Sequence, residues 1–409
     1  MTLFPLPLTE LFGHWGSYVV YLFIGLAFGY VLEISGFGNS KKLAAQFYFK
    51  DMTVLKVMFG AIIVAMVLLF GATAVGLLDY NLVWVNPTYL WPGIVGGLIM
   101  GLGFIIGGFC PGTSLVSMAT GKIDGIFFVL GVAFGIFMFG ETVQYFEEFW
   151  YSSFMGRYTL PQLFGLPVGV VVLGVVLMAL FMFFMAEKLE AKFGGVDQSA
   201  APQWRYGAAV AIALFGIVLI IIGQPTVADR WAMVAEEKQA QIDAGAVQIH
   251  PAELLDKLHD RKLKVKMLDV RNEADYNLFH ILDAERVAPE ALESVAPELI
   301  SQPANTLFVV MSNDEAAATA AWKVLVAESV PNVYILEGGV NNWIDTYAAD
   351  EFKLACEICS DNDELRYDFT AALGAQYLAS EPNPHDFEIE YVPKVKMELK
   401  RAPASGGCG

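Results

Sequence analysis

Cysteine, histidine and basic residues are scarce in this chain of 409 residues. There are five histidines and four cysteines, the latter at positions 110, 356, 359 and 408. Four scattered cysteines are too few for a disulfide scaffold. Lys and Arg number 25 against 43 Asp and Glu, and this acidic balance excludes nucleic acid and anionic lipid surfaces as partners. No haem, flavin or nucleotide motif is visible, so we expect no cofactor and no metal site.

The few charges are unevenly distributed. Residues 1–223 contain nine Lys/Arg and 11 Asp/Glu, whereas residues 224–409 contain 16 and 32. The first 16 residues carry no Lys or Arg, so a cleaved signal sequence is not expected. The distribution predicts a membrane domain over 1–223 and a soluble, acidic remainder. We divide the remainder into a linker (224–245), a folded domain (246–350) and an acidic extension with a flexible tail (351–409).

Long apolar runs dominate the first domain. About 20 predominantly apolar residues span a bilayer. Gly, Trp and Tyr are frequent in and beside these runs, as in packed membrane helices. The sequence therefore predicts a polytopic helical protein that crosses the lipid bilayer with six spans. These are residues 17–35, 53–78, 89–109, 123–146, 165–186 and 205–223.

Two of these segments belong to a repeated unit. An offset of 72 residues aligns the stretch from Gly25 with the stretch from Gly97, so that "GYVLEISGFGNSKK" meets "GLGFIIGGFCPGTS". Each unit is interpreted as a helix, a break, a short amphipathic piece and a second helix. Interrupted hydrophobic segments at matching places in two repeats indicate the substrate site of a transporter.

The basic residues of the loops predict an orientation. The loops after the first, third and fifth spans hold most of the Lys and Arg, and the loops after the second and fourth spans hold only Arg157. Cytoplasmic loops are enriched in Lys and Arg. We therefore expect a bacterial cytoplasmic (inner) membrane protein with both termini and the soluble domain in the periplasm.

The break in the third span contains Cys110. Pro suits the first turn of a helix, and the Thr and Ser that follow can satisfy free backbone amides. Such a helix start binds anions and stabilises a thiolate. The alternative is that Cys110 is merely a small buried apolar residue. The predicted substrate-binding residues are Gly108, Cys110, Pro111, Gly112, Thr113 and Ser114.

The stretches "GGFCPGTS" and "TGKIDGIFFVLGVAFG" resemble the YeeE/YedE family of sulfur-compound transporters over residues 17–150. The resemblance implies short cysteine-bearing helix-loops along a thiosulfate path. It also implies a transient hydrogen-bonded or sulfur–sulfur contact between Cys110 and the anion. Gly38 stands at the matching place in the first unit, so a cysteine-to-cysteine relay between the units is not available. A second copy or a partner membrane subunit would be needed to complete one.

Glu141, in "FMFGETVQYF", lies near the end of the fourth span. An intramembrane carboxylate indicates a function, and proton coupling to anion movement would suit this one. The alternative is an interfacial Glu141 that pairs with Arg157 or faces the lipid headgroups.

Helices and strands alternate between residues 246 and 347, with strands at "VKMLDVR", "NTLFVVMS" and "NVYILEGG". This order is typical of an α/β domain with a parallel sheet. The stretches "LDVRNEADYNLFHILDAERV" and "VYILEGGVNNW" resemble the rhodanese fold. In that family a cysteine follows the central strand, whereas Ser312 occupies this place here. A serine without a base is a poor nucleophile, so we expect no sulfurtransferase activity and structural roles for Asp269, Arg271 and His280.

The extension contains the other three cysteines. Cys356 and Cys359 have dithiol spacing, which suits a local disulfide or redox pair, half a metal site, or inert thiols. The tail "KRAPASGGCG" around Cys408 is similar to the Gly-Gly-Cys-Gly terminus of periplasmic sulfur-oxidation carrier proteins. That similarity implies a covalent sulfur carrier, and an idle flexible tail is the alternative.

Three hypotheses follow. In the first, the protein binds and transports or hands over a small sulfur oxyanion such as thiosulfate, and its soluble domain passes sulfur to or from a periplasmic sulfur-handling protein without catalysis. In the second, it is a non-transporting membrane anchor within a homo-oligomer or a larger complex. In the third, it is an enzyme in which Cys408, or Cys356 with Cys359, exchanges sulfur.

Overall fold

Long apolar helices make up the first part of the chain, as its composition predicts. The structure is a computed structural model that describes residues 4–195, 202–348, 363–387 and 389–397. Within these ranges, six helical segments are long and apolar enough to cross a membrane, which confirms the predicted spans. One of them consists of two helices, α4 and α5. The helices of this part are α1 (Leu8–Ile34), α2 (Ser40–Ala45), α3 (Thr53–Ala74), α4 (Leu90–Gly107), α5 (Pro111–Ala119), α6 (Ile123–Thr142), α7 (Glu147–Trp150), α8 (Leu160–Phe164), α9 (Val168–Leu189) and α10 (Trp204–Ile222).

Helices α3, α9 and α10 pack together around buried aliphatic side chains. Val67 of α3, Val172 and Val176 of α9, and Leu219 of α10 are buried in one cluster. A Cβ added to Gly169 of α9 would lie 2.9 Å from the backbone of α10. In a membrane, where water does not drive helices together, such close backbone contact is a main source of stability.

The two repeated units end their first helices in the same way. Gly36 follows α1 and Gly108 follows α4, and both have a left-handed backbone with φ of 80° and 70°. The next residue is Phe37 in one unit and Phe109 in the other, and both side chains are buried in one cluster. A short helix then begins in each unit. The aligned sequences therefore form corresponding breaks, as the repeat predicts.

A parallel five-stranded sheet forms the core of the second part, which confirms the predicted α/β domain. Its strand order is β1-β5-β4-β2-β3. The sequence pattern predicts only three strands, because β1 and β3 are two residues long and two residues show no alternation. The strands are β1 (Gln248–Ile249), β2 (Lys264–Asp269), β3 (Glu285–Arg286), β4 (Thr306–Met311) and β5 (Val333–Leu336).

Helices cover both faces of this sheet. One apolar cluster includes Met267, Leu307 and Trp343, and the cluster on the other face includes Leu268, Phe308 and Trp322. Strand β4 is buried at every residue, as expected for a central parallel strand. The helices are α11 (Val227–Asp243), α12 (Pro251–His259), α13 (Glu273–Leu278), α14 (Leu292–Ile300), α15 (Ala316–Ala327) and α16 (Gly339–Tyr347).

The division into compact units falls between Gln224 and Pro225. Residues 224–245, expected as a linker, contain the 17-residue α11. Its Trp231 meets Trp322 of α15 edge to face, and Arg230 forms an ion pair with Glu328. The described residues after position 362 also pack on the sheet domain, with Phe369 stacked on Phe279. Both flanking segments thus contribute to the second unit.

Candidate functional site

The break in the third span is formed by three residues between α4 and α5. Helix α4 ends where Gly108 adopts its left-handed conformation and donates its amide to the Phe104 carbonyl at 2.9 Å. Phe109 is 2% exposed and anchors the break in the protein interior. Cys110 is extended and is the N-cap residue of α5, whose first helical residue is Pro111. This segment is a broken helix, as the Pro-Gly-Thr-Ser sequence predicts.

Cys110 and Thr113 form a reciprocal cap at the start of α5. The Thr113 amide donates to the Cys110 Sγ at 3.4 Å, and the Cys110 amide donates to the Thr113 Oγ1 at 3.0 Å. Sγ and Oγ1 lie 3.3 Å apart. Cys110 is a free, half-buried thiol. Either Sγ or Oγ1 can be the donor in the contact between them.

The other predicted residues of this segment have more local roles. Ser114 is fully buried, and its hydroxyl donates to the Pro111 carbonyl at 2.7 Å. Gly112 occupies the second helical position, and within the described ranges its amide has no acceptor. Gly112 therefore keeps an unused backbone donor at the start of α5, whereas Ser114 stabilises the helix.

An apolar cavity of about 200 Å³ adjoins Cys110. Its walls include Phe37, Met58 and Phe104, and its lining residues include no charged side chain. The polar residues in its lining are Gln46, Cys110 and Thr113. Both repeated units thus contribute to one space, the first through α3 and the residues before it and the second through α4 and α5. A repeat predicts a substrate site at such a place.

Two lysines satisfy the carbonyl groups at the first break. Lys42 donates to the Ser35 carbonyl at 3.0 Å, and Lys122, from the start of α6, donates to the Gly38 carbonyl at 2.8 Å. Positive side chains at a helix C-terminus also match the helix dipole. Gly38 is buried, and a Cβ there would lie 2.8 Å from the Glu33 Oε2. A cysteine here would require the ends of the Glu33 and Lys122 side chains to shift.

Glu141 is exposed near the C-terminal end of α6. Phe109, the neighbour of Cys110, packs against Phe128 of α6, and Glu141 lies 13 residues further along that helix, roughly 20 Å at about 1.5 Å per residue. Arg157 donates to the Tyr80 carbonyl at 3.0 Å and stacks over the Tyr80 ring. The structure therefore does not bring Glu141 together with Cys110, and it gives Arg157 other partners.

In the second unit, the loop after β4 is filled by the chain's own side chains. Ser312 is 1% exposed, and its Oγ accepts the Ala318 amide at 3.1 Å. The Asp363 carboxylate accepts the Asp314 amide at 2.6 Å and the Ala317 amide at 2.7 Å. A carboxylate from the extension thus occupies the amide groups at the start of α15.

The residues expected to be structural lie beneath this loop. Asp269 and Arg271 form a buried ion pair with an oxygen–nitrogen distance of 2.6 Å, and Arg271 also donates to the Phe279 carbonyl. His280 stacks on Tyr276 with ring centroids 3.9 Å apart. Burial, together with the Asp269 charge, raises the pKa of Tyr276. These contacts hold the β2 end in place.

Two residues that contact these sites were not predicted from sequence, and three predicted cysteines cannot be placed. Gln46 and Asp363 were missed: Gln46 is a lone polar residue in the apolar stretch "LAAQFYF", and Asp363 is one of many acidic residues. Sequence spacing indicates neither contact. Cys356, Cys359 and Cys408 lie outside the described residues.

Known protein families match parts of both units. Residues 34–245 match a family described as sulphur transport, and residues 250–346 match the rhodanese-like domain. A solution NMR structure of a rhodanese-like domain from Anabaena sp. is 20% identical. The match covers 28% of this chain and 95% of that chain, with a TM-score of 0.22. None of the curated proteins matches.

Proposed function

Because the chain belongs to the sulphur transport family, we propose that this multi-pass membrane protein transports thiosulfate or a similar sulfur oxyanion past Cys110. The observation that carries the proposal is the half-buried Cys110 thiol at the start of α5. It lies beside a cavity that both repeated units line. The S–H group donates to the terminal sulfur of the anion in place of the Thr113 Oγ1 that lies 3.3 Å away, and the Gly112 amide, at the start of α5 and outside the cavity lining, donates to an oxygen. Neither contact needs a covalent step.

The cap geometry supports a weak, reversible contact at Cys110. The Thr113 amide and hydroxyl lie 3.4 and 3.3 Å from Sγ and fix its position without burying it fully. A thiol is a weaker donor than a hydroxyl, so an anion held by it can leave again. Transport requires this balance between binding and release.

Uptake of ³⁵S-labelled thiosulfate by proteoliposomes that contain only this protein tests the proposal. We expect Cys110→Ser to reduce the initial rate at least tenfold, because Ser caps the helix as Cys does but offers no polarisable sulfur. Thermal unfolding of the variant controls for folding. Unchanged uptake by Cys110→Ser would refute the role of the thiol. A failure of the unaltered protein to take up thiosulfate would favour the non-transporting anchor.

We propose that the rhodanese-like domain does not catalyse sulfur transfer. Ser312 replaces the nucleophile, and the Asp363 carboxylate occupies the loop amides that would face a persulfide. Asp314 adds a further negative charge, only partly balanced by Arg366 at 2.9 Å. Purified protein should transfer no sulfur from thiosulfate to cyanide. A rate comparable to that of an active rhodanese, abolished by Ser312→Ala, would contradict this.

We further propose that both termini are in the periplasm of a bacterium, as the distribution of Lys and Arg supports. A membrane-impermeant maleimide added to spheroplasts should then label Cys408. Labelling of Cys408 only after the membrane is opened would reverse the orientation.

A further inference from the structure

The apolar cavity beside Cys110 presents an anion with a problem of solvation. Its lining residues include no lysine or arginine. A charged oxygen that leaves water must find hydrogen-bond donors in the protein, because the solvation it loses is otherwise not replaced. The donors available in the lining therefore decide which sulfur species can enter.

Most of the polar groups in the lining are already in use. The Thr113 hydroxyl donates to the Cys110 carbonyl at 3.2 Å and accepts the Cys110 amide at 3.0 Å. The Cys110 Sγ accepts the Thr113 amide. Gln46 is the remaining polar residue, and its side-chain amide makes no hydrogen bond to any residue that the structure describes. A primary amide carries two N–H donors.

We infer that Gln46 is the specificity-determining residue of this cavity, and that it donates its side-chain amide to an oxygen of the substrate whose sulfur meets Cys110. This inference rests on the proposed function and deepens it. It assigns the site to anions with two unlike ends, a polarisable sulfur and an oxygen. Thiosulfate fits this class, and hydrosulfide, which has no oxygen, does not.

The repeat gives the two residues complementary places. Gln46 follows α2 in the first unit, and Cys110 precedes α5 in the second. The first unit has buried Gly38 where the second has Cys110, so it offers no thiol and instead offers an amide. One ligand between the two breaks can therefore contact a different chemical group from each unit.

Near-isosteric variants test the inference in the full chain. Gln46→Met keeps the length of the side chain and removes its donors, and we expect the KM for thiosulfate uptake to rise roughly tenfold with little change in maximal rate. Gln46→Glu places a like charge beside the anion and should abolish uptake. Gln144→Met is the matched control, because Gln144 is exposed after α6 and donates to the Glu141 carbonyl. Its KM should not change.

The outcomes separate this inference from the proposed function. A normal KM in Gln46→Met, with uptake lost in Cys110→Ser, would overturn the role of Gln46 and leave the transport proposal intact. Unaffected uptake in Cys110→Ser would refute both. Inhibition of labelled uptake by excess hydrosulfide gives a second readout. We expect weak inhibition of the unaltered protein and relatively stronger inhibition of Gln46→Met, and equal inhibition of the two would contradict the selectivity for an oxygen-bearing anion.

Discussion

At the scale of single residues, Cys110 caps a helix and, in the proposed function, also contacts the substrate. The Cys110 sulfur accepts the Thr113 amide, which a serine or aspartate would do more strongly. The proposed contact between the sulfur and the substrate would account for this weaker cap. Thr113 compensates in part for the weaker cap, because its hydroxyl accepts the Cys110 amide and donates to the Cys110 carbonyl.

The buried pair of Asp269 and Arg271 leads to a prediction about stability alone. Both side chains are almost inaccessible, and Arg271 Nη2 lies 2.6 Å from the carboxylate. We expect Asp269→Asn to destabilise the second unit by about 3 kcal/mol, because it leaves a buried guanidinium without its counter-charge. Hydrogen exchange of the β2 and β4 amides measures this change locally.

Glu293→Gln is the control for that substitution, because Glu293 is exposed in the first turn of α14. We expect it to change the free energy of unfolding, derived from the same exchange rates, by less than about 0.5 kcal/mol. Thiosulfate uptake should be normal in both variants. If Asp269→Asn were no less stable than Glu293→Gln, the pair would not have the structural role assigned to it.

At the scale of elements, α5 is fixed by close contact with α6. A Cβ on Gly125 of α6 would lie 2.6 Å from both the Ser117 Oγ and the Met118 amide nitrogen. We expect Gly125→Ala to destabilise the membrane unit by about 1–3 kcal/mol, because α5 and α6 must separate to accept the methyl group. Thermal unfolding in detergent measures the loss, and uptake should fall as well, since α5 begins at Cys110.

Gly131 of the same helix provides a matched control. A Cβ there would meet no atom within 4 Å, and alanine is the better helix former by about 1 kcal/mol. Gly131→Ala should therefore leave unfolding and uptake unchanged or raise stability slightly. Equal losses in the two variants would show that glycine itself, and not close packing, matters in α6.

The elements differ in how far sequence could predict them. The six spans, the repeat and the break at Cys110 were predictable, because hydrophobic length and Pro-Gly signals are local. The contacts between distant parts of the site were not predictable. Gln46 reaches the cavity because the short turn after α2 packs on α3, and Asp363 reaches the β4 loop across about 50 positions of sequence. Strands β1 and β3 were missed because two residues carry no pattern.

At the scale of the whole molecule, every residue assigned to the transport site belongs to one compact unit. Gln46, Cys110 and Gly112 all precede the boundary between Gln224 and Pro225. The second unit has its own buried sheet and its own apolar clusters. In the proposed function, the second unit presents or receives sulfur before or after the anion crosses the membrane. We therefore expect it to add nothing to the binding of free thiosulfate by residues 1–224.

A chain truncated after Gln224 tests this separation. We expect proteoliposomes with residues 1–224 to take up free thiosulfate with a KM within about twofold of the full chain, because the cavity and both breaks are retained. Gln46→Met should raise KM by the same factor in the truncated and full-length proteins, since additivity holds for sites that share no contacts. Size-exclusion chromatography in detergent controls for aggregation. If a monodisperse truncated protein lost uptake, the second unit would have a direct part in transport, and the separation of the two roles at Pro225 would be wrong.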